Sequence, residues 1–191
     1  MNVTVEIKTY TLPPVDRAEA LRYAGCAGTD TELEEILDNS IEIINEKLTP
    51  RVCWCTLPVS VTGEKCDLGA FSVDSADLAG SLSGCSRAVV FAATVGVDAD
   101  RLIIRYGRLL PSRGVMLSAV ADERIEALCD EFCAEFAPSR PRFSPGYGDL
   151  PIETQRDIFA LLNCEKHIGL TLNQSLLMSP TKSVTAIFGL E

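Results

Sequence analysis

Apolar residues along this chain repeat with two different periods. Val3, Val5 and Ile7 alternate with Thr4, Glu6 and Lys8, a period of two that predicts a half-buried strand ended by Pro13-Pro14. A short helix is expected over 16–23 and a break over 25–28. Thr31 and Glu34 have capping-box spacing, and Leu33, Ile36, Leu37, Ile41, Ile44 and Leu48 then mark one face of a long helix whose opposite face is acidic. Residues 51–73 alternate weakly, are rich in Val, Cys, Trp and Thr, and contain a Thr62-Gly63 turn, which predicts a hairpin or meander.

Farther along, 88–95 is a continuous apolar run closed by Gly96, the pattern of a central strand covered on both faces. Asp98 or Asp100 is placed to cap the next helix, which carries Leu102, Ile103, Tyr106, Leu109 and Leu110. A turn over 111–114 precedes the longest amphipathic helix, expected to run to about Phe136. Strands and helices mix without regular βαβ alternation. The pattern therefore predicts an α+β fold, a mainly antiparallel twisted sheet with flanking helices, in a single domain spanning 1–191.

Charge removes several functions. The formal net charge is −10 with no Lys/Arg cluster to interrupt it, which argues against nucleic acid and against an anionic membrane as partners. The N-terminus lacks a basic region followed by an apolar core, and no segment is apolar for long enough to span a bilayer, so a cytoplasmic protein is expected. Eight cysteines invite a metal or disulfide reading. Cys53 and Cys55 are expected on opposite faces of their strand, whereas Cys129 and Cys133 share the helix face of Ile125, Leu128, Phe132 and Phe136 and read as core. With one His and no CxxC pair, the expectation is buried, reduced thiols and no metal.

The richest chemistry lies in 137–150, an irregular surface segment with three prolines, two glycines and two arginines. Pro145-Gly146 fits the centre of a type II turn, and Gly146 lets backbone approach a ligand closely. Asp149 and Pro151 are expected to open the helix carrying Ile158, Leu161 and Leu162. Arg142 offers a planar fork for a carboxylate, and Tyr147 an aromatic face for a sulfonium, an ammonium or a flat macrocycle. The same residues also permit a purely structural arrangement, with Arg142 paired to an acidic neighbour such as Asp149 and Tyr147 packed on the core.

From Arg142 to Phe188 the order of motifs is Arg-x-x-x-Gly-Tyr, a helix, Glu165-Lys166-His167-Ile168-Gly169, a polar segment ending in Ser175, Met178-Ser179-Pro180, and a small-residue strand. This order resembles the activation domain of cobalamin-dependent methionine synthase. The resemblance implies S-adenosylmethionine as bound cofactor and cobalamin carried by a partner module. It also implies a flavodoxin-like electron donor acting on that partner, and a part in methionine biosynthesis as a component of methyltransferase activity. On the matching positions, Arg142 would hold the methionyl carboxylate, backbone around Pro145 and Gly146 would line the pocket, and Tyr147 would sit at the methyl-donor end facing the corrin. Glu126 is the candidate acidic residue at the pocket, with a solvated helix-face carboxylate as its other reading.

Two departures bear on the implied binding. Gly148 stands where the family often has Pro, and the family domain continues beyond the position of Glu191 with further ligand contacts. An alternative function is therefore a corrinoid-protein docking module that does not bind S-adenosylmethionine. Of the remaining landmarks, His167 is expected as a helix cap or core residue, Met178 and Pro180 as shapers of the turn into the last strand, and Ser175, Ser179 and Ser183 as hydrogen-bond donors.

Overall fold

The computed structural model describes residues 3–26, 28, 30–138 and 140–191. In chain order the elements are β1 (Glu6–Thr9), α1 (Arg17–Tyr23), α2 (Thr31–Asn45), β2 (Arg51–Pro58), β3 (Ser60–Thr62), β4 (Lys65–Asp67), β5 (Ser72–Asp74), α3 (Ala76–Leu82), β6 (Arg87–Thr94), α4 (Val97–Leu109), α5 (Pro111–Ala134), α6 (Thr154–Leu162), α7 (Cys164–Ile168), β7 (Thr171–Leu172), β8 (Met178–Ser179) and β9 (Ser183–Leu190). Three eight-residue strands and the short β1 form an antiparallel sheet in the order β1-β2-β6-β9. The hairpin at Gly63 and the strand after it make a separate sheet, β3-β4-β5, and β7 pairs with β8. The α+β architecture is as the patterns indicate.

The continuous apolar run of β6 is explained by its place, since it is paired on both edges and covered on both faces. Alternate residues sort into two cores. Trp54, Phe91 and Phe188 face α1, α2 and α5, whereas Cys55, Val90 and Ile187 face α3, α6 and α7. Cys53 and Cys55 lie in the same core, contrary to the expected opposite faces, because residues two apart on a strand share a face. Cys129 and Cys133 are buried on α5 as its periodicity requires.

Several boundaries differ from expectation for local reasons. β1 is the sheet's edge strand and is exposed throughout, with Val3 and Val5, just before it, partly covered by the second core. The cap of α2 is Asp30, whose carboxylate accepts from Leu33 N–H at 2.8 Å, while Glu34 pairs with Arg17. Neither Asp98 nor Asp100 caps α4, which starts at Gly96 without a side-chain cap; Asp98 pairs with Arg101, and Asp100 accepts from Thr181 N–H and Oγ1. Pro111 is the first residue of α5 rather than part of a turn, a position where the missing N–H costs nothing. The following Gly114 lets α5 cross α4 closely, as a Cβ there would fall 2.6 Å from Gly107 Cα. Leu109 and Leu110 are exposed rather than buried, and Leu109 lies beside Arg101, Arg105 and Arg108, a local basic strip hidden in the overall negative charge.

The segment before α1 is tied down from α5. Arg124, 1% exposed, donates to Glu123 and to the carbonyls of Pro13 and Pro14, and Glu123 accepts from Asp16 N–H. A buried pair satisfied this completely turns a desolvation cost into a fixed attachment. Among the described residues no helix is long and apolar enough to cross a membrane, and no group of three or more His, Cys, Asp or Glu side chains is placed to hold a metal ion.

Candidate functional site

A cleft of about 390 Å³ opens where the two faces of the sheet meet the outer edge of β9. The irregular segment supplies Arg142, Phe143, Ser144, Pro145 and Tyr147. Glu126 reaches in from α5, Gln155 from α6 and Met178 from β8, and the start of β9 contributes Ser183, Val184 and Thr185. Its volume falls within the ~300–1,000 Å³ typical of small-molecule clefts. The segment is held against β9 by a short antiparallel bridge: Phe143 N–H donates to Ile187 C=O at 2.8 Å, and Ile187 N–H donates back at 2.9 Å.

Arg142 is the charged centre. Its guanidinium, 23% exposed, donates to Glu126 Oε2 and to Asp130 Oδ1, each at 2.5 Å. The two carboxylates sit one helical turn apart on α5 and so present a matched pair to the fork. Burial opposes the arginine's charge, but the hydrogen bond to Asp130 and the neighbouring negative groups outweigh it and hold its pKa above the ordinary value. Asp149, the partner suggested by sequence proximity, is elsewhere. Glu126 thus lines the cleft in contact with Arg142 while 44% of its side chain stays exposed to solvent.

The turn is built as its residues require. Tyr147 N–H donates to Ser144 C=O at 3.2 Å, and Gly146 at φ +90° occupies the third position of a type II turn. Pro145 and Tyr147 line the cleft; Gly146 lies behind them, its N–H donated to Leu150 C=O at 2.9 Å. Tyr147 is 69% exposed at the rim and does not pack on the core. Gly148, at φ +53°, passes so close to Asp77 that a Cβ there would collide with its carboxylate.

Asp149 fastens the far end of the loop. It does not open α6, which starts after Glu153 without a side-chain cap. Its carboxylate instead accepts from Ser75 Oγ and from the N–H groups of Ala76 and Asp77 at the start of α3. The Ser75 hydroxyl first, then those N–H groups, hold the Asp149 pKa below the ordinary carboxylate value. The loop is therefore fixed to β9 at Phe143 and to α3 at Asp149, with the turn between them.

The other expected contacts are distributed unevenly. Ser183 lines the cleft, but its hydroxyl is engaged with Thr94 Oγ1 and Pro180 C=O, both at 2.9 Å. Ser175 and Ser179 lie outside the lining, and His167 sits in the last turn of α7 ahead of the left-handed Gly169. Gln155 and Thr185 were not legible as site residues. They are 6% and 2% exposed, and Gln155 Oε1 and Thr185 Oγ1 have no hydrogen-bond partner among the described residues. Their only sequence signal is a polar residue at a position that helix or strand period assigns to the core.

With this geometry in place, the chain can be set beside known proteins. Residues 134–190 match the activation domain family of vitamin B12 dependent methionine synthase. The fold is that of the methionine synthase reactivation domain. It is similar to the crystal structure of the MetH reactivation domain bound to AdoHcy, with a TM-score of 0.79 at 16% identity, over 98% of this chain and 78% of that one. The likeness of fold thus reaches well upstream of the motifs that carry the resemblance in sequence. No curated protein matches this chain. In this version of the reactivation fold, the Arg142 to Tyr147 turn and the edge of β9 form one cleft.

Proposed function

We propose that this protein binds S-adenosylmethionine in the cleft and supports reductive methylation of cob(II)alamin on a cobalamin-dependent methionine synthase or related corrinoid protein, in trans, with residues 1–191 acting as one domain in the cytoplasm. In that reaction one electron from a flavodoxin-like donor and the methyl group of the sulfonium convert cob(II)alamin to methylcobalamin, leaving S-adenosylhomocysteine. The observation that carries the reading is Arg142: a half-buried fork at the back of a ligand-sized cleft whose rim is an exposed tyrosine, set in the segment that matches the activation domain.

The residues fit the ligand's chemistry. Arg142 would take the methionyl carboxylate in a bidentate contact, and Glu126 beside it would take the ammonium. Pro145 stiffens the turn, so little conformational freedom is lost when the ligand seats. Tyr147 at the rim would meet the corrin and the sulfonium, whose positive charge an aromatic face attracts. The protein's contribution is orientation, and the cobalt supplies the nucleophile.

A docking module that does not bind S-adenosylmethionine is the second reading. One observation favours it, namely that the Arg142 fork already has two carboxylate partners. Calorimetric titration separates the two. Saturable S-adenosylmethionine binding that Arg142→Ala weakens about ten-fold or more supports the activation reading. Absence of binding, with retained affinity for a corrinoid module, leaves the docking reading in its place.

A further inference from the structure

The four-stranded sheet has two edges of different character. Phe143 covers part of the β9 edge, whereas among the described residues no strand or loop pairs with the outer edge of β1. Tyr10 N–H donates to Pro50 C=O at 3.0 Å, which continues the β1–β2 register and turns the backbone groups of Tyr10 toward β2. Along an antiparallel strand that direction repeats every second residue, so Lys8 and Glu6 also face β2. Ile7 and Thr9 therefore present their N–H and C=O outward. An open strand edge of this kind is a template for another strand unless its side chains guard it.

The side chains on β1 alternate between the two faces of the sheet. Ile7, 48% exposed, lies opposite Cys53 on the face of the second core. Glu6 and Lys8 stand on the other face, where Lys8 Nζ pairs with Glu135 at 2.6 Å and Glu6 has no ion-pair partner among the described residues. A lysine commonly guards a free edge by repelling its own copy. Here Glu6, two positions earlier, changes what Lys8 excludes. An antiparallel pairing of two copies centred on Glu6 or on Lys8 sets like charges directly opposite one another. Centred on Ile7, it sets Glu6 of each copy opposite Lys8 of the other. Charge thus selects one register.

We propose that the outer edge of β1 binds a second copy of this chain, antiparallel and about a two-fold axis at Ile7. Ile7 exchanges both backbone hydrogen bonds with its counterpart, and Thr9 does so with Val5 of the other copy. Between these pairs Glu6 and Lys8 meet in the non-hydrogen-bonded positions, ~4.5 Å apart at Cα, where opposite charges attract most effectively. The contact is isologous, so it closes at a dimer. It joins two four-stranded sheets into one, and because β9 is the opposite edge, the clefts lie at the far ends of the joined sheet and both stay open. The pairing does not depend on what the cleft binds.

Sedimentation equilibrium of the whole chain from about 1 µM to 1 mM tests the edge, and a monomer–dimer equilibrium is expected. Ile7→Pro removes an N–H that β2 does not use, a position at which an edge strand tolerates proline, and should weaken the dimer about ten-fold or more. Glu6→Lys and Lys8→Glu each set like charges opposite one another and should each weaken it about ten-fold. An equimolar mixture of these two variants restores opposite charges at every pair and should recover association between them. Recovery of that kind does not come from variants that merely fail to fold. A monomer at every concentration overturns the proposal, including one whose β1 amides gain protection from hydrogen exchange only when a corrinoid-carrying partner is added. A dimer indifferent to Ile7→Pro, or a mixture that associates no better than either charge variant alone, overturns it equally, by placing the contact on another surface.

Discussion

The two faces of the four-stranded sheet are packed by opposite means. On one, Phe91, Phe132, Phe136, Phe188 and Trp54 interlock, with Phe132 at 4.8 Å from Phe91 and 5.2 Å from Trp54 between ring centroids. On the other, Cys53, Cys55, Ala88, Val90 and Ala92 present small side chains to short helices. Burial, with Cys53 beside it, pushes the Cys55 thiol up to about 12, so it packs as a neutral small residue. Large rings give the first face a scaffold around α5. Small residues let α6 and α7 approach the second closely, and that approach brings Gln155 to the edge of β9. The cleft draws Glu126 from the first arrangement and Gln155 from the second.

The largest expected effect tests the scaffold. Phe132→Ala removes the ring that touches four other aromatics and should cost about 3–5 kcal/mol in urea unfolding, whereas Cys55→Ala on the opposite face should cost about 1 kcal/mol. Equal losses would dissolve the distinction between the faces. Next in size is the loop. Gly148→Ala forces an alanine into positive φ and against Asp77, and should cost about 1–3 kcal/mol while weakening S-adenosylmethionine binding. A variant as stable as the parent would mean that the anchor at α3 yields without consequence.

Legibility in the sequence followed the same division between local and distant causes. The type II turn at Pro145-Gly146 and the Arg-x-x-x-Gly-Tyr segment were readable because each is specified by residues within a few positions. The partners of Arg142 were not, since Glu126 and Asp130 lie on a helix 12 to 16 residues upstream and chain proximity suggested Asp149. Asp149 itself serves a helix start 72 to 74 residues away, which no local cap signal records. Gln155 and Thr185 are single polar residues on otherwise apolar faces, and only the meeting of α6 with β9 gives them a shared cleft. The α+β class is legible because hydrophobic period, unlike side-chain pairing, is written into each element separately.

A smaller effect concerns competition for Arg142. A ligand carboxylate has to displace at least one of its two partners, and Asp130, with its side chain 71% exposed, is the one held more loosely. An exposed pair of this kind is worth ~0.2–1 kcal/mol. Asp130→Asn should accordingly tighten S-adenosylmethionine binding about two- to five-fold by calorimetry. Weaker binding in this variant would make Asp130 a positioning group for the fork rather than a competitor.

The smallest effect isolates the loop anchor through pH. Asp149 has its pKa held below the ordinary value in the folded protein by Ser75 and the first N–H groups of α3, while in the unfolded chain it titrates near the usual ~4. Stability from this group is therefore complete above about pH 4 and lost as pH falls through the depressed folded value. Because the carboxylate is solvent-exposed, the change should be a slight steepening of acid unfolding. Asp149→Asn should abolish that increment while leaving the aromatic face, and so the melting behaviour at neutral pH, nearly as it was. Acid profiles of parent and variant that run parallel would place the hold on this loop in the Phe143 bridge to β9 alone, and the second face would then anchor the cleft by packing rather than by charge.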